Sequence, residues 1–335
     1  MKRLLSLSSP AFFHSFAAVG GKEERRGRFG ECFDFCAAND RFGAETFEKA
    51  EGQMEAQCLS FALKKGGLTE RELSLLLAGD LQNQCEATSH GLSPFSLPYL
   101  GLYGACSTAI EGLGLGALLL QAEPSLSRLA VVSGSHNSAA ERQFRTPLEY
   151  GGQRTPTAQW TATAAGAFIL SHRGEGPRIG AALFGRCVDG GIRDASNMGA
   201  AMAPAAADTL LAYFRESGDS PTDYDAIVTG DLGQEGSSLL SILLEREGLS
   251  LGGRHLDCGC LLYDESIQDV HAGASGCGCI ASLLACHFLP ALQAGELRRM
   301  LAIGTGAMMN PAALLQGDTI LGVAHLIRLE GAYAD

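Results

Sequence analysis

Gly101-Leu-Tyr-Gly-Ala-Cys-Ser-Thr-Ala-Ile110 is the stretch that decides the fold, with Cys106 near its middle. A glycine-rich turn delivers a cysteine to an apolar helical pattern running over residues 106–120. A helix start presents unpaired N–H groups and the positive end of the helix dipole. Both favour thiolate, the nucleophilic form of cysteine, and the same place binds anions. The stretch therefore admits a covalent catalyst or a carboxylate receptor. A chemically silent, buried apolar cysteine is the third reading.

Working outward, the chain contains the same unit twice. Leu75-Leu-Leu-Ala-Gly-Asp-Leu81 resembles Ala226-Ile-Val-Thr-Gly-Asp-Leu232, each a buried strand running into a loop. A helical pattern precedes each, over 46–65 and 205–217. Gly104-Ala-Cys-Ser-Thr-Ala-Ile110 resembles Gly273-Ala-Ser-Gly-Cys-Gly-Cys-Ile280, and both open apolar helices, the second over 276–289. Leu129-Ala-Val-Val-Ser-Gly-Ser-His136 resembles Leu301-Ala-Ile-Gly-Thr-Gly-Ala-Met308. Three matches in one order indicate a duplication. A repeated helix–strand–helix–strand unit implies an α/β protein with two mainly parallel sheets. Helices apolar on every side are buried on every side. The two glycine-led helices are therefore expected to pack together between the sheets, through Gly112 and Gly116, with both N-termini facing one pocket. The halves are drawn at 1–173 and 174–335, with a linker at 171–178 and a polar insertion at 137–160.

Composition narrows the function. The chain has 335 residues, a net charge of -12 and one short basic run, Arg25-Arg26 with Arg28. Phosphate recognition needs larger basic clusters, so nucleic acid is not expected as a partner. Eleven cysteines scattered through apolar segments do not read as a secreted disulfide framework. Ser8, Ser9, Pro10 and His14 interrupt the apolar N-terminus, so a signal peptide is not expected. Nor is a transmembrane helix, since the apolar runs fall short of the ~20 residues that span a bilayer. Cys258-Gly-Cys260 and Cys277-Gly-Cys279 lack the spacing of a zinc site, and no metal or cofactor is expected. The glycine clusters lack the strand–turn–helix context of a dinucleotide site.

Two constellations remain. Cys106 needs a base or partner from elsewhere, and the repeat puts His271, just before the second glycine-led helix, across the pocket. The insertion carries Arg142, Arg145, Arg154 and the only tryptophan, Trp160. Arginine suits carboxylates through its planar fork. The alternative for these arginines is pairing with Glu141 and Glu149 on a solvated or dimer-facing surface.

Together these motifs resemble the thiolase fold of condensing enzymes. Within it the chain is similar to the stage V sporulation protein AD family. The resemblance rests on Phe33-Asp34, Thr46-Phe-Glu-Lys-Ala-Glu51, Ala78-Gly-Asp-Leu-Gln-Asn-Gln84, Gly101-Leu-Tyr-Gly-Ala-Cys-Ser-Thr108, Ala140-Glu-Arg-Gln-Phe-Arg145, Glu149-Tyr-Gly-Gly-Gln-Arg154, Gln159-Trp-Thr-Ala-Thr163, Asp269-Val-His-Ala-Gly-Ala-Ser-Gly-Cys-Gly-Cys279 and Gly304-Thr-Gly-Ala307. It implies two pseudo-symmetric halves in a layered α-β-α-β-α arrangement and a homodimer. It also implies non-catalytic binding of dipicolinic acid (pyridine-2,6-dicarboxylate), moved into the developing spore with membrane-embedded partners. That work is done at the cytoplasmic face of the inner spore membrane, peripherally. Whether calcium accompanies the ligand stays open.

Condensing enzymes of this fold present a further His or Asn from a loop of the second half. Here the counterpart is Thr229-Gly-Asp-Leu-Gly233, and an acidic Asp231 would oppose an oxyanion. Dipicolinate is flat and doubly anionic near neutral pH, so it needs opposed donors and an aromatic wall. Cys106, His271, Asp231, Gln84, Arg145 and Arg154 are the candidate lining, with Tyr103, Tyr150 or Trp160 as the wall. After His136 the chain reads Asn-Ser where the family suggests an aromatic residue. The competing readings are an active condensing enzyme using Cys106 and a dimeric scaffold with a vestigial pocket.

Overall fold

The computed structural model describes residues 2–144 and 154–332. Among them, ten strands form the continuous path of one large sheet. Leu4–Gly20 (β1), Leu75–Gly79 (β2), Tyr99–Gly101 (β3), Arg128–Ser135 (β4) and Ala164–Ser171 (β5) come first in the chain. Arg178–Leu183 (β6), Ala226–Thr229 (β7), His255–Asp257 (β8), Arg299–Met308 (β9) and Leu321–Glu330 (β10) follow. Their order across the sheet is β8-β7-β9-β10-β6-β1-β5-β4-β2-β3. The sequence β3-β2-β4-β5-β1 is thus mirrored by β8-β7-β9-β10-β6, and the duplicated phrases occupy matching places.

The expectation of two separate, mainly parallel sheets needs correction. β2 is parallel to β3 and β4, as β7 is to β8 and β9. The remaining pairs, β4 with β5, β5 with β1, β9 with β10 and β10 with β6, are antiparallel. β1 and β6 then hydrogen-bond to each other and join the halves. The N-terminal apolar stretch is this seam. Its later part pairs with β5 and its earlier part with β6, with register shifts between Phe13 and Ser15 and between Ser6 and Ala11. A polar, bulged start and an apolar end suit a strand that serves two partners.

Five helices build the layers: Phe47–Gly66 (α1), Thr108–Ala122 (α2), Met198–Ser217 (α3), Gly233–Arg246 (α4) and Cys277–Ala294 (α5). Local signals set their limits. Thr46 caps α1 by accepting from the Lys49 N–H, and Gly67 ends it at φ 64°. Asn197 and Gly218 do the same for α3. α5 passes through a π turn at Leu284–Phe288 just before Pro290, which has no N–H to give. α1 covers the outer face of the first half, packing Met54, Leu59 and Leu63 on Ala130, Val132 and Ile169. α3 covers the outer face of the second, packing Met202, Leu210 and Phe214 near Ile227, Leu301 and Ile303. Between the inner faces lie α2 and α5, whose Leu113, Leu120, Ile280 and Leu284 share a core with Val131, Phe168, Val228 and Ile327. The five layers are α-β-α-β-α.

Ala105–Ala122, which contains α2, and α5 are apolar and long enough, at 18 residues each, to pass a length-and-composition test for crossing a bilayer. Both are core helices here, 67% and 78% buried between the sheet halves. The expected glycine seam between them is different in detail. A Cβ on Gly112 would meet Val131 at 2.8 Å, and one on Gly116 would meet Leu129 at 2.9 Å. Those glycines therefore let α2 sink onto the sheet. The tightest approach for α5 is at Gly278, where a Cβ would lie 2.0 Å from the Ala164 carbonyl oxygen.

Gly278→Ala should therefore destabilise the protein by about 1–3 kcal/mol, because backbone must move to make room. Gly253→Ala, with nothing within 4 Å of its Cβ, should stay within about 0.5 kcal/mol. Urea unfolding of the two variants checks this; equal midpoints would contradict the layer packing.

Candidate functional site

Cys106 sits in a tight turn just before α2. Ala105 takes a left-handed conformation at φ 50°. The turn is closed by Ser107 Oγ donating to the Gly104 carbonyl at 2.6 Å and Thr108 Oγ1 donating to the Ala105 carbonyl at 2.7 Å. A Cβ on Gly306, in β9, would lie 2.5 Å from the Gly104 carbonyl oxygen, so only glycine lets that strand lie against the turn. The thiol is buried, packed with Leu81, Ala140 and Cys277, and lies 3.8 Å from Ser275 Oγ.

Asp231 closes this site. It is buried, and Oδ2 accepts from Ser275 Oγ and from the Gly276 N–H, both at 2.9 Å. Oδ1 accepts from Thr305 Oγ1 at 2.7 Å, and the Asp231 N–H donates back to that hydroxyl at 3.0 Å. One carboxylate thus ties the loop after β7 to the start of α5 and to β9. Burial pushes its carboxyl above the usual range, against the pull of these donors. Burial also pushes the Cys106 thiol well above its ordinary range, and the Asp231 charge adds to that. The expected thiolate at a helix dipole is corrected accordingly. Desolvation and a facing carboxylate outweigh a dipole worth up to about 2 kcal/mol.

The other candidates separate from Cys106. His271 does not hydrogen-bond to it. Its Nδ1 lies 2.6 Å from the Thr155 carbonyl oxygen and its Nε2 lies 3.0 Å from Asp269 Oδ1. Gln84 is exposed at φ 59°, whereas Gln82 turns inward and donates to Glu51 Oε2 at 2.5 Å. Tyr103 is exposed beside the edge strand β3, and partial burial raises its hydroxyl to about 12. Arg145 and Tyr150 lie outside the described residues.

Arg154 belongs to a second site. It stacks over Trp160, with the guanidinium carbon 5.0 Å from the ring centroid. Its Nη2 donates to Asp269 Oδ2 at 2.7 Å and to the Asp269 carbonyl at 2.9 Å. Asp269 therefore brings Arg154 and His271 together. Arg154 Nη1 is buried and has no hydrogen-bond partner among the described residues. These residues line a groove of about 430 Å³. Its lining comes from Lys22, Glu23 and Arg26, from Arg154 and Trp160, from Ile267–Val270, and from Asp40, Asn137 and Ser138. Lys22 and Arg26 both reach Glu23, at 3.8 and 3.0 Å. Gln268 joins two of these segments by donating to the Glu23 carbonyl at 2.8 Å. The sequence reading found Arg154 and Trp160 but missed this constellation. Its signal was the Arg25-Arg26 run, whose place beside Trp160 no periodicity reveals. Among the described residues no group of three His, Cys, Asp or Glu is arranged around a metal position, and all eleven cysteines are unpaired.

A family model described as stage V sporulation protein AD matches residues 1–330. The chain belongs to the stage V sporulation protein AD family. It is 38% identical over 323 residues to stage V sporulation protein AD of Bacillus subtilis (strain 168), covering 96% of this chain and 95% of that protein. Solved structures extend the likeness to condensing enzymes. Cerulenin-bound OleA from Xanthomonas campestris matches with a TM-score of 0.60 at 14% identity, over 96% of this chain and 97% of that one. AbyA1, a tetronic acid condensing enzyme, matches with a TM-score of 0.58 at 16% identity, over 84% and 86%. At these identities the likeness establishes the thiolase-like fold and nothing about chemistry.

The site geometry predicts thiol reactivity. Exposed Cys32 and Cys187 should be alkylated by iodoacetamide at pH 8 well before Cys106, which should stay protected until unfolding. Mass mapping of the modified peptides checks the order; Cys106 reacting first would restore an activated nucleophile.

Proposed function

We propose that this chain binds dipicolinic acid without turning it over, as the peripheral subunit of the sporulation machinery that moves the ligand into the spore. Family membership supports the setting, and the Arg154–Trp160 groove supports the chemistry. The carrying observation is the Arg154 donor without a partner among the described residues, in a guanidinium stacked on an indole, with Lys22 and Arg26 lining the same groove. A flat dicarboxylate finds there an aromatic face and three cations, Lys22, Arg26 and Arg154. Entry requires it to take over from Glu23 and Asp269 as partner of those cations. The Cys106 site suits an anion poorly, because its facing group is the carboxylate of Asp231. A buried neutral thiol also argues against acyl transfer through Cys106. On this reading no cofactor is required, and calcium is an additional variable in the assay.

Calorimetry with dipicolinate should give binding that weakens at least about tenfold in Arg154→Ala, the loss expected for a hydrogen bond to a charged group. Cys106→Ala should bind like the wild type. No heat at millimolar ligand, with or without calcium, would overturn the proposal. Acyl transfer from an acyl thioester that disappears in Cys106→Ala would replace it with a condensing enzyme.

We also propose a homodimer formed through β3. This strand is a sheet edge, and Tyr99, Leu100 and Tyr103 are exposed along it. An apolar, unpaired edge is a template for a second strand. Sedimentation should show a dimer for the wild type and a monomer for Leu100→Lys; a wild-type monomer at tens of micromolar would refute this. The membrane-embedded subunits are proposed as further partners, which keep the chain at the inner spore membrane without a span of its own.

A further inference from the structure

α1 carries two acidic residues on the face it turns to the sheet. Glu51 and Glu55 are both 0% exposed, and their spacing puts them one turn apart on the same side of the helix. Glu51 Oε2 accepts from Gln82 Nε2 at 2.5 Å. Glu51 Oε1 and both oxygens of Glu55 are buried with no hydrogen-bond partner among the described residues. Glu55 Oε1 lies against β4, where a Cβ on Gly134 would come within 2.7 Å of it. Around the pair stand Asp80 and Cys85 on the loop after β2, Glu86 on the short helix Glu86–Leu92, Tyr99 on β3 and Cys277 at the start of α5. His136, at the end of β4, packs its ring near Phe47 and turns Nε2 to the Asp40 carbonyl oxygen.

A carboxylate in a dry interior is costly unless donors or a cation meet it. Asp80 has its donors: the Gln82 and Thr88 N–H groups at 2.7 and 2.8 Å and the Thr88 hydroxyl at 2.8 Å. Glu51 and Glu55 have one between them, the Gln82 amide. Ionised, they would set two negative charges side by side among unmatched oxygens. A proton changes this, because a neutral acid gains an O–H donor. Two carboxyls one helical turn apart can then hydrogen-bond to each other, which two carboxylates cannot. Burial, with the charge of Asp80 adding to it, pushes both carboxyls well above the usual range.

We propose that Glu51 and Glu55 form a proton-holding pair that pins α1 to the first half of the sheet: as neutral acids they seat the helix, and losing their protons loosens it. The sign follows from linkage. The unfolded chain releases these protons at about pH 4, the ordinary carboxyl range. The folded chain releases them only at higher pH, so in between it holds more protons than the unfolded one. Raising the pH therefore lowers the ratio of folded to unfolded protein, by up to about tenfold per pH unit for each proton held. Ionisation is relieved when α1 lifts and water reaches the pair. The Gln82 contact, which ties the loop after β2 to Glu51, is lost in the same movement.

Urea unfolding of the wild type and Glu55→Gln from pH 5 to 9 tests the pair. Other buried carboxyls titrate alike in both chains and cancel in the comparison. The variant, a neutral side chain of the same shape, should match the wild type near pH 5. At pH 8.5 its ratio of folded to unfolded protein should be at least about tenfold higher. Hydrogen exchange, corrected for its intrinsic pH dependence, should show α1 amides losing protection with rising pH in the wild type and not in the variant. Parallel stability curves, or a variant less stable than the wild type at pH 8.5, would overturn the proposal, since the charged form would then be the stabilising one. A Glu55→Gln chain that cannot fold would count against it equally, because an amide is the nearest neutral stand-in for a neutral acid. Infrared spectra give a second reading on the wild type itself. At pH 8 the folded protein should show the carbonyl stretch of protonated carboxylic acid, lost on unfolding and weaker in Glu55→Gln; its absence from the folded wild type would also overturn the pair.

Discussion

The buried carboxylate of Asp231 holds the centre of this protein together. It is the meeting point of the loop after β7, the N-terminus of α5 and β9, with three hydrogen bonds joining it to Ser275, Gly276 and Thr305. Removing a carboxylate from such a place strands several buried donors, each costing about 1–3 kcal/mol. The same group faces Cys106, and its charge adds to the burial that raises the thiol.

The duplication gives Asp231 a counterpart. Asp80 ends the matching strand of the first half, and its carboxylate accepts from the Gln82 and Thr88 N–H groups and from the Thr88 hydroxyl. In both halves a Gly-Asp-Leu phrase turns a buried parallel strand into a loop and satisfies that loop's donors internally. The second half adds Asp257, whose oxygens accept from Thr229, Leu232, Gly233 and Cys260. Repeated strands are thus secured by repeated carboxylates. Divergence between the halves lies in what each carboxylate reaches across to touch.

Separation of the two candidate sites follows from the same physics. An interior lined by Asp231, Cys106 and Cys277 offers no cation among the described residues, and desolvation there penalises every charge. The groove at Arg154 is open to water, is lined by Lys22, Arg26 and Arg154 and has an aromatic face. The proposed charged, planar ligand is matched by the second. Neutral, apolar packing belongs in the first, where Leu81, Ala140 and the two cysteines meet.

The sequence alone determined the elements and their duplication. Apolar strands ending in Gly-Asp-Leu, glycine-led apolar helices and capped amphipathic ones are local patterns, and local sterics and burial read them the same way in any context. Matching phrases in matching order also implied the layered α/β class. The tertiary structure decided which strands run antiparallel, that β1 and β6 fuse the sheets, and that Gly112 and Gly116 face β4. Each of these depends on partners far away in the chain. It likewise decided the fate of the candidate residues. Cys106 has the address of a nucleophile, but burial raises its thiol, and the charge of Asp231, far along the chain in the other half, adds to that. His271 looked like its partner but is bonded to Asp269 and Thr155. Glu24 carries no motif at all. Its carboxyl is held by Gly21, Thr163 and Tyr263, from three separate segments, and such neighbours in space are not encoded by spacing along the chain.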